Sequence, residues 1–190
     1  MTRECERLPD LATRPLGGSV VAASDEFFAE KENLIQPEAP TFTPQTFGHR
    51  GQVYDGWETR RRRDGGTADW AIVRLGVPGI VCGVVVDTAF FVRNYPPACS
   101  VEATAVTGHP SSAELAAGQW TPLVPRSPLR GDSKAVFEVS VEQRFTHVRL
   151  SIYPDGGVAR FRVYGEPVPD PRDLAGMPCD LAALENGGAV

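Results

Sequence analysis

The sequence predicts an all-β domain of the sandwich or jelly-roll kind, on three observations. Seventeen prolines and nineteen glycines cut its 190 residues into pieces mostly too short for helices. Between the breaks, stretches rich in Val, Ile, Phe and Thr show hydrophobic period two. These stretches follow one another without the helical patterns that a parallel α/β sheet would need between its strands.

In chain order, the first element is a short helix over 25–34, which Ser24 or Asp25 could cap. Residues 39–54, with two prolines and two glycines, read as an ordered loop or a lid over a site. Strands are predicted over 71–75, 80–87, 100–107, 134–142, 145–153 and 158–164, each bounded by turn residues. The stretch 111–130 between them reads as a long loop carrying Trp120.

The last two strands read as a hairpin over 145–164. Thr146, Val148, Leu150 and Ile152 fall on one face of the first strand, and Phe145, His147, Arg149, Ser151 and Tyr153 on the other. Pairing Tyr153 with Val158 sets Arg149 opposite Arg162 and Ser151 opposite Arg160. Opposed like charges are unfavourable, so this register calls for a carboxylate from a neighbouring strand or for a nearby anion site.

The chain also restarts a motif. Asp10, Leu11, Ala12, Gly17, Gly18 and Val20 recur as Asp180, Leu181, Ala182, Gly187, Gly188 and Val190, in one gapless register offset by 170 residues. A domain-sized period indicates tandem duplication and not a solenoid, whose units run roughly 20 to 50 residues. The expected organisation is an N-terminal tail over 1–9, one domain over 10–165, a Pro-rich linker over 166–180 and the start of a truncated second repeat over 181–190. Leu181, Leu184 and Val190 are then expected to fray or to lie on the surface of the first domain.

With 42% hydrophobic and 23% charged residues, disorder throughout is excluded. A net charge of −5 gives no global field for nucleic acid or anionic lipid, so partners of those classes are not expected and any anion is held by a local cluster. No apolar run approaches the ~18 residues of a membrane span, and the start lacks a signal-peptide core. Cys5, Cys82, Cys99 and Cys179 are scattered, without a Cys-x-x-Cys pair, and read as reduced structural thiols. The expected setting is the cytoplasm.

The densest chemistry is the run Arg60, Arg61, Arg62 and Arg63, flanked by Asp55, Glu58, Asp64 and Asp69. Four adjacent guanidinium groups cannot all be buried unpaired, so some must meet carboxylates. The planar guanidinium also suits two-pronged capture of a ligand carboxylate, which an aromatic wall such as Trp57 would strengthen by excluding water.

At this point the sequence resembles the allantoicase family. The resemblance rests on the blocks at 16–28, 33–35, 55–62, 69–76, 86–91 and 153–165 and covers about residues 10–190. It implies a galactose-binding-like jelly roll, a subunit of two such repeats, and hydrolysis of allantoate to ureidoglycolate and urea in purine breakdown. The chain departs from the pattern by stopping a few residues into the second repeat, so the expectation is a homo-oligomer or a pairing with a second repeat, with allantoate hydrolysis weak or absent unless the second repeat is supplied.

Allantoate carries one carboxylate and two ureido groups, so its site needs a carboxylate clamp, hydrogen-bond partners for urea and an acid-base group for the leaving nitrogen. Arg60, Arg61, Arg62, Arg63, Arg149 and Arg160 are clamp candidates, and Asp55, Glu58, Asp87 or His109 are candidates for proton transfer. Asn94 could hold a ureido group. The sequence shows no required cofactor. A divalent metal stays open, since carboxylate oxygens bind hard cations without a compact signature. A non-catalytic binding or structural half-domain of the same fold is the alternative function.

Overall fold

The computed structural model describes residues 4–63 and 65–170, together with 172, 178, 180, 182–186 and 188. Its strands are β1 (Ser19–Ala23), β2 (Phe47–Gly48), β3 (Gly51–Gln52), β4 (Trp57–Glu58), β5 (Asp69–Asp87), β6 (Ala98–Thr104), β7 (Thr121–Pro128), β8 (Lys134–Glu138), β9 (Arg144–Tyr153), β10 (Gly157–Val158) and β11 (Arg160–Pro167). A short helix, α1 (Ser112–Ala117), accompanies them.

β5 organises the fold. It is nineteen residues long, and its ladder with β9 is interrupted between Arg74 and Gly79. Before that bend it pairs with β1 on one side and β9 on the other, as in Ala71 opposite Leu150 and Val73 opposite Val148. β9 continues to β6, and β6 to β7. After the bend, β5 lies between β11 and β8, with Val84 opposite both Val163 and Phe137. Two sheets thus share one bent strand and close on one core that includes Trp57, Val73, Val84, Val101, Phe145, Leu150 and Phe161. Each large side chain so buried contributes roughly 1.5–3 kcal/mol, and this is the predicted jelly-roll sandwich.

The structure revises several local expectations. The two strands expected at 71–75 and 80–87 are one, because Pro78 falls at the bend, where a missing N–H interrupts no ladder. The expected loop over 111–130 holds α1 and β7. α1 is closed by a capping box between Ser111 and Glu114, and β7 is an edge strand, the one place where Pro122, Pro125 and Pro128 are tolerated in a sheet. The helix expected at 25–34 does not form. The Asp25 carboxylate takes the N–H of Phe27, a short-range bond that competes with helix, and only the 3₁₀ turn Lys31–Ile35 remains.

The hairpin over 145–164 is also overturned. Both edges of β9 are filled by β5 and β6, β11 lies along the far half of β5, and β10 pairs with β4. The connection therefore passes between sheets, at a point where a Cβ on Gly157 would stand 2.0 Å from the Phe91 ring. Arg149 faces Glu102 of β6 and not Arg162, so the carboxylate comes from a neighbouring strand. The alternation on β9 slips by one, with Phe145 and His147 buried along with Val148 and Thr146 half-buried, because the start of β9 pairs with β5 beyond the bend.

The segment repeated in sequence is also repeated in shape. In the first copy, Ala12 N–H donates to Asp10 Oδ1, Thr13 N–H to the Asp10 carbonyl, and Leu16 and Gly18 N–H to the Thr13 carbonyl. In the second, Ala182 donates to Asp180 Oδ1, Ala183 to the Asp180 carbonyl, and Asn186 and Gly188 to the Ala183 carbonyl. Leu184 is half-buried in a 3₁₀ turn (Leu184–Asn186) against β5 and β11, while Leu181 and Val190 lie outside the described residues.

Candidate functional site

Two loops at one end of the sandwich form a cleft of about 750 Å³. One loop leaves β1 and contributes Ser24, Asp25, Phe27 and Phe28, and the other leaves β4 and contributes Arg60 to Arg63, with Asp69 at the start of β5. Trp57 is fully buried behind them and does not line the cleft. Its indole N–H donates to the Asp25 carbonyl at 2.7 Å, tying the first loop to the core.

The arginines alternate in their use. The Asp25 carboxylate accepts from Arg60 Nε at 2.8 Å and from the Arg60 backbone N–H at 2.8 Å. Burial alone would raise the Asp25 pKa, but the hydrogen bonds from Arg60 and Phe27 and the Arg60 charge outweigh it and leave it low. Arg60 also lies over the Phe27 ring, 5.1 Å from its centroid. Arg62 Nη1 donates to Asp69 Oδ1 at 2.7 Å, and its backbone N–H donates to Asp155 Oδ2. Arg61 and Arg63 are exposed on the cleft and have no hydrogen-bond or ion-pair partner among the described residues. Two arginines build the site and two present charge to it.

The Asp69 side chain is only 4% exposed. Its Oδ1 accepts from Ser24 Oγ at 2.8 Å as well as from Arg62, while its Oδ2 is buried without a hydrogen-bond partner.

Glu58 and Asn94 form a second group. Glu58 ends β4, two positions before Arg60, and its Oε1 accepts from Asn94 Nδ2 at 2.7 Å. Burial raises the Glu58 pKa and the Asn94 bond offsets this only in part, so this carboxyl holds a proton more readily than an ordinary glutamate.

The remaining predicted residues lie elsewhere. Asp55 and Arg160 make a two-pronged pair with each other, and a depression of about 350 Å³ joins Arg160, Arg162 and Asp87. Asp87 Oδ1 accepts from the Ala89 N–H, and Lys134 Nζ stands 3.6 Å from Oδ2. Arg149 makes two bonds to Glu102 and lies 4.5 Å from the Trp120 centroid. His109 is exposed on a depression of about 520 Å³ with Arg74, Arg144 and His147. From the sequence, Ser24 and Asp25, which build the cleft, stand out only as helix caps, and Asp69 only as a flanking charge. Their signal was the arginine run itself, which required carboxylates at close range.

Among the described residues, no group of three or more His, Cys, Asp or Glu is placed to hold a metal ion. Nor is any helix there long and apolar enough to cross a membrane.

A family model described as the allantoicase repeat matches residues 9–168. The chain is 61% identical over 184 residues to a probable allantoicase of Nocardia farcinica, covering 96% of this chain and 56% of that protein. It is 42% identical over 183 residues to the allantoicase of Dictyostelium discoideum, covering 95% of this chain and 49% of that protein. The solved structure of allantoicase from Saccharomyces cerevisiae matches with a TM-score of 0.77 at 37% identity, over 95% of this chain and 53% of that one. CBM32-3, from a family 31 glycoside hydrolase of Clostridium perfringens, matches with a TM-score of 0.59 at 10% identity, over 87% of this chain and 100% of that one, which shows a shared fold alone. The chain spans about half the length of the curated relatives it matches.

Proposed function

The chain belongs to the allantoicase family, and from that premise we propose that the protein hydrolyses allantoate to ureidoglycolate and urea. The observation that carries this reading is the family match over residues 9–168. In the reaction, water adds its oxygen to the central carbon, the bond from that carbon to one ureido nitrogen breaks, and the nitrogen leaves as urea once protonated.

The cleft supplies matching chemistry. Arg61 and Arg63 are the free cations suited to the carboxylate, and Arg60 and Arg62 are held in place by Asp25 and Asp69. Of Asp55, Glu58, Asp87 and His109, we assign proton transfer to Glu58, which does not itself line the cleft but ends the strand leading into it two positions before Arg60, and whose carboxyl is pushed up by burial and is not engaged by an arginine. Asn94 holds Glu58 in place.

We further read residues 10–165 as one repeat, 166–180 as linker and 181–190 as the entrance to a second, supported by the matching turns at 10–18 and 180–188. The setting is read as cytoplasmic, supported by the free thiols of Cys5, Cys82 and Cys99. Full turnover is expected to require a second repeat or a second copy of the chain.

The alternative, a non-catalytic binding module, is favoured by Phe27 and Phe28, 39% and 41% exposed at the cleft. Urea release from allantoate, with allantoin as control, separates the two. The enzyme reading expects stoichiometric urea and ureidoglycolate from allantoate alone. Saturable binding without urea, in the 190-residue chain and in a version extended by a second repeat, would establish the binding module instead.

A further inference from the structure

We propose that Asp69 is a substrate-binding residue, whose Oδ2 accepts an N–H from the terminal amide of a ureido group and thereby fixes which end of the ligand enters the cleft. The inference rests on the cleft being the substrate site, and it adds a residue to which neither the sequence nor the comparisons assign a role.

The argument begins with an incomplete set of hydrogen bonds. A carboxylate has room for about four donors, and a buried one without them carries a large desolvation cost. Oδ1 of Asp69 has two donors, Ser24 Oγ at 2.8 Å and Arg62 Nη1 at 2.7 Å. Oδ2 has none, although it is shut away from water. The Asp69 backbone is fixed independently, since its N–H donates to the Pro154 carbonyl and its Cα is in register with Ile152 on β9. The carboxylate is thus held in the cleft wall from three sides, with one oxygen left for a donor.

The chemistry of that donor follows. An ionised carboxylate accepts only, so Oδ2 selects an N–H or O–H and rejects a carbonyl or a second carboxylate. The Arg62 charge beside Oδ1 already offsets the Asp69 charge, so a neutral donor suffices and a cation is not needed. A terminal ureido NH₂ is such a donor, neutral, planar and with two N–H groups. Arg61 and Arg63 stand at the same cleft as free cations. One compound bearing both a carboxylate and a ureido group can therefore satisfy both, the carboxylate toward the arginines and the amide toward Asp69. The arrangement discriminates between the two ends of the ligand as well as holding it.

The test uses simple ligands, so that it does not depend on turnover. N-Carbamoylglycine carries one carboxylate and one terminal ureido NH₂, and N-acetylglycine replaces that NH₂ by a methyl group. Calorimetric titration of the chain is expected to show about tenfold or greater preference for N-carbamoylglycine, the scale of one hydrogen bond to a charged acceptor. Asp69→Asn puts a second donor or a weaker acceptor at Oδ2 and is expected to erase the preference. Equal binding of the two ligands by the unaltered chain, or a preference that survives in a folded Asp69→Asn, would overturn the role of Asp69. Should Asp69→Asn fail to fold, the same comparison in Asp69→Ser decides, and a preference that survives there would overturn the role as well. If the preference is found but neither the chain nor a version extended by a second repeat releases urea from allantoate, the hydrolytic reading fails and the binding role stands.

Discussion

Arg160 and Asp55, 105 positions apart, meet in a two-pronged pair, with Nη1 to Oδ1 at 2.8 Å and Nη2 to Oδ2 at 3.0 Å. The guanidinium is only 3% exposed, and its Nε donates to the Glu38 carbonyl. The pair therefore clamps the 38–55 loop to β11, and it absorbs two residues that chemistry alone offered as clamp and acid. Burial alone would raise the Asp55 pKa, but the Arg160 and Thr41 bonds outweigh it and leave it lowered from 3.8. Asp55 thus favours the folded state while ionised, above the unfolded pKa near 3.8, and that contribution is lost as pH falls through the lower folded value. Asp55→Ala is expected to cost about 3 kcal/mol in urea unfolding at pH 7, because it leaves a buried charge unpaired. Adding Arg160→Met is expected to restore most of that loss.

The arginine run divides into two kinds, and substitution is expected to separate them. Arg61→Lys and Arg63→Lys keep charge but lose the two-pronged geometry, so allantoate turnover is expected to fall about tenfold or more with Tm unchanged within a degree or two. Arg60→Lys and Arg62→Lys disturb pairs with Asp25 and Asp69 and are expected to lower Tm as well. Unchanged kinetics in both Arg61→Lys and Arg63→Lys would remove the exposed arginines from the substrate site.

Glu58 is expected to behave oppositely to Asp55 with pH. Burial raises its folded pKa above 4.5, so the folded state favours the protonated form and stability is lost as pH rises through that range. Glu58→Gln removes the penalty while keeping an acceptor for Asn94. Its stability relative to the unaltered protein is expected to improve between pH 4 and 7 while turnover falls about a hundredfold. A variant of full activity would exclude Glu58 from proton transfer.

His147 is 2% exposed, and burial together with the nearby Arg74 charge pushes its pKa down from 6.5 to about 4. Its neutral form is the folded one, so it contributes stability above pH 6.5 that is lost as pH falls toward 4. Ring resonances of His147 followed by NMR are expected to stay in the neutral position down to about pH 4.5. A midpoint near 6.5 would mean that water reaches the ring.

The strand content was legible because buried β-branched residues alternate whatever their partners. Partners were not legible. Nothing local in 145–164 tells that β9 and β11 lie on different sheets, since that depends on a strand seventy residues earlier, bent at Arg74 to Gly79. The prolines of β7 mimicked a loop because an edge strand and a loop ask the same thing of proline, freedom from donating. In the site, the arginine run was visible but its sorting was not. Which arginine is structural depends on Asp25 and Asp69, brought in by separate elements.

Gly18 and Gly188 offer a test of the repeat. A Cβ on Gly18 would stand 1.8 Å from the Ala12 carbonyl oxygen, and one on Gly188 would stand 2.3 Å from that of Ala182. The local clash is the same, but the surroundings differ. The first turn is stitched into the domain, with Leu11 N–H donating to the Val163 carbonyl, Gly76 N–H to the Leu11 carbonyl, and Val163 N–H to Asp10 Oδ1. The hydrogen bonds of 180–188, among the described residues, stay within the segment. Gly18→Ala is therefore expected to cost about 3 kcal/mol, because relieving the clash pulls the turn away from β5 and β11. Gly188→Ala is expected to change the stability of this chain by less than about 0.5 kcal/mol, because its turn can open without disturbing the sheets. In a chain extended by a second repeat, the same Gly188→Ala change is expected to cost as much as Gly18→Ala, since the turn would then anchor a sheet of its own. Thermal unfolding of the three variants and of their two unaltered parents decides this, and a Gly188→Ala cost that is the same with and without the extension would show that the second turn is not the entrance to a domain.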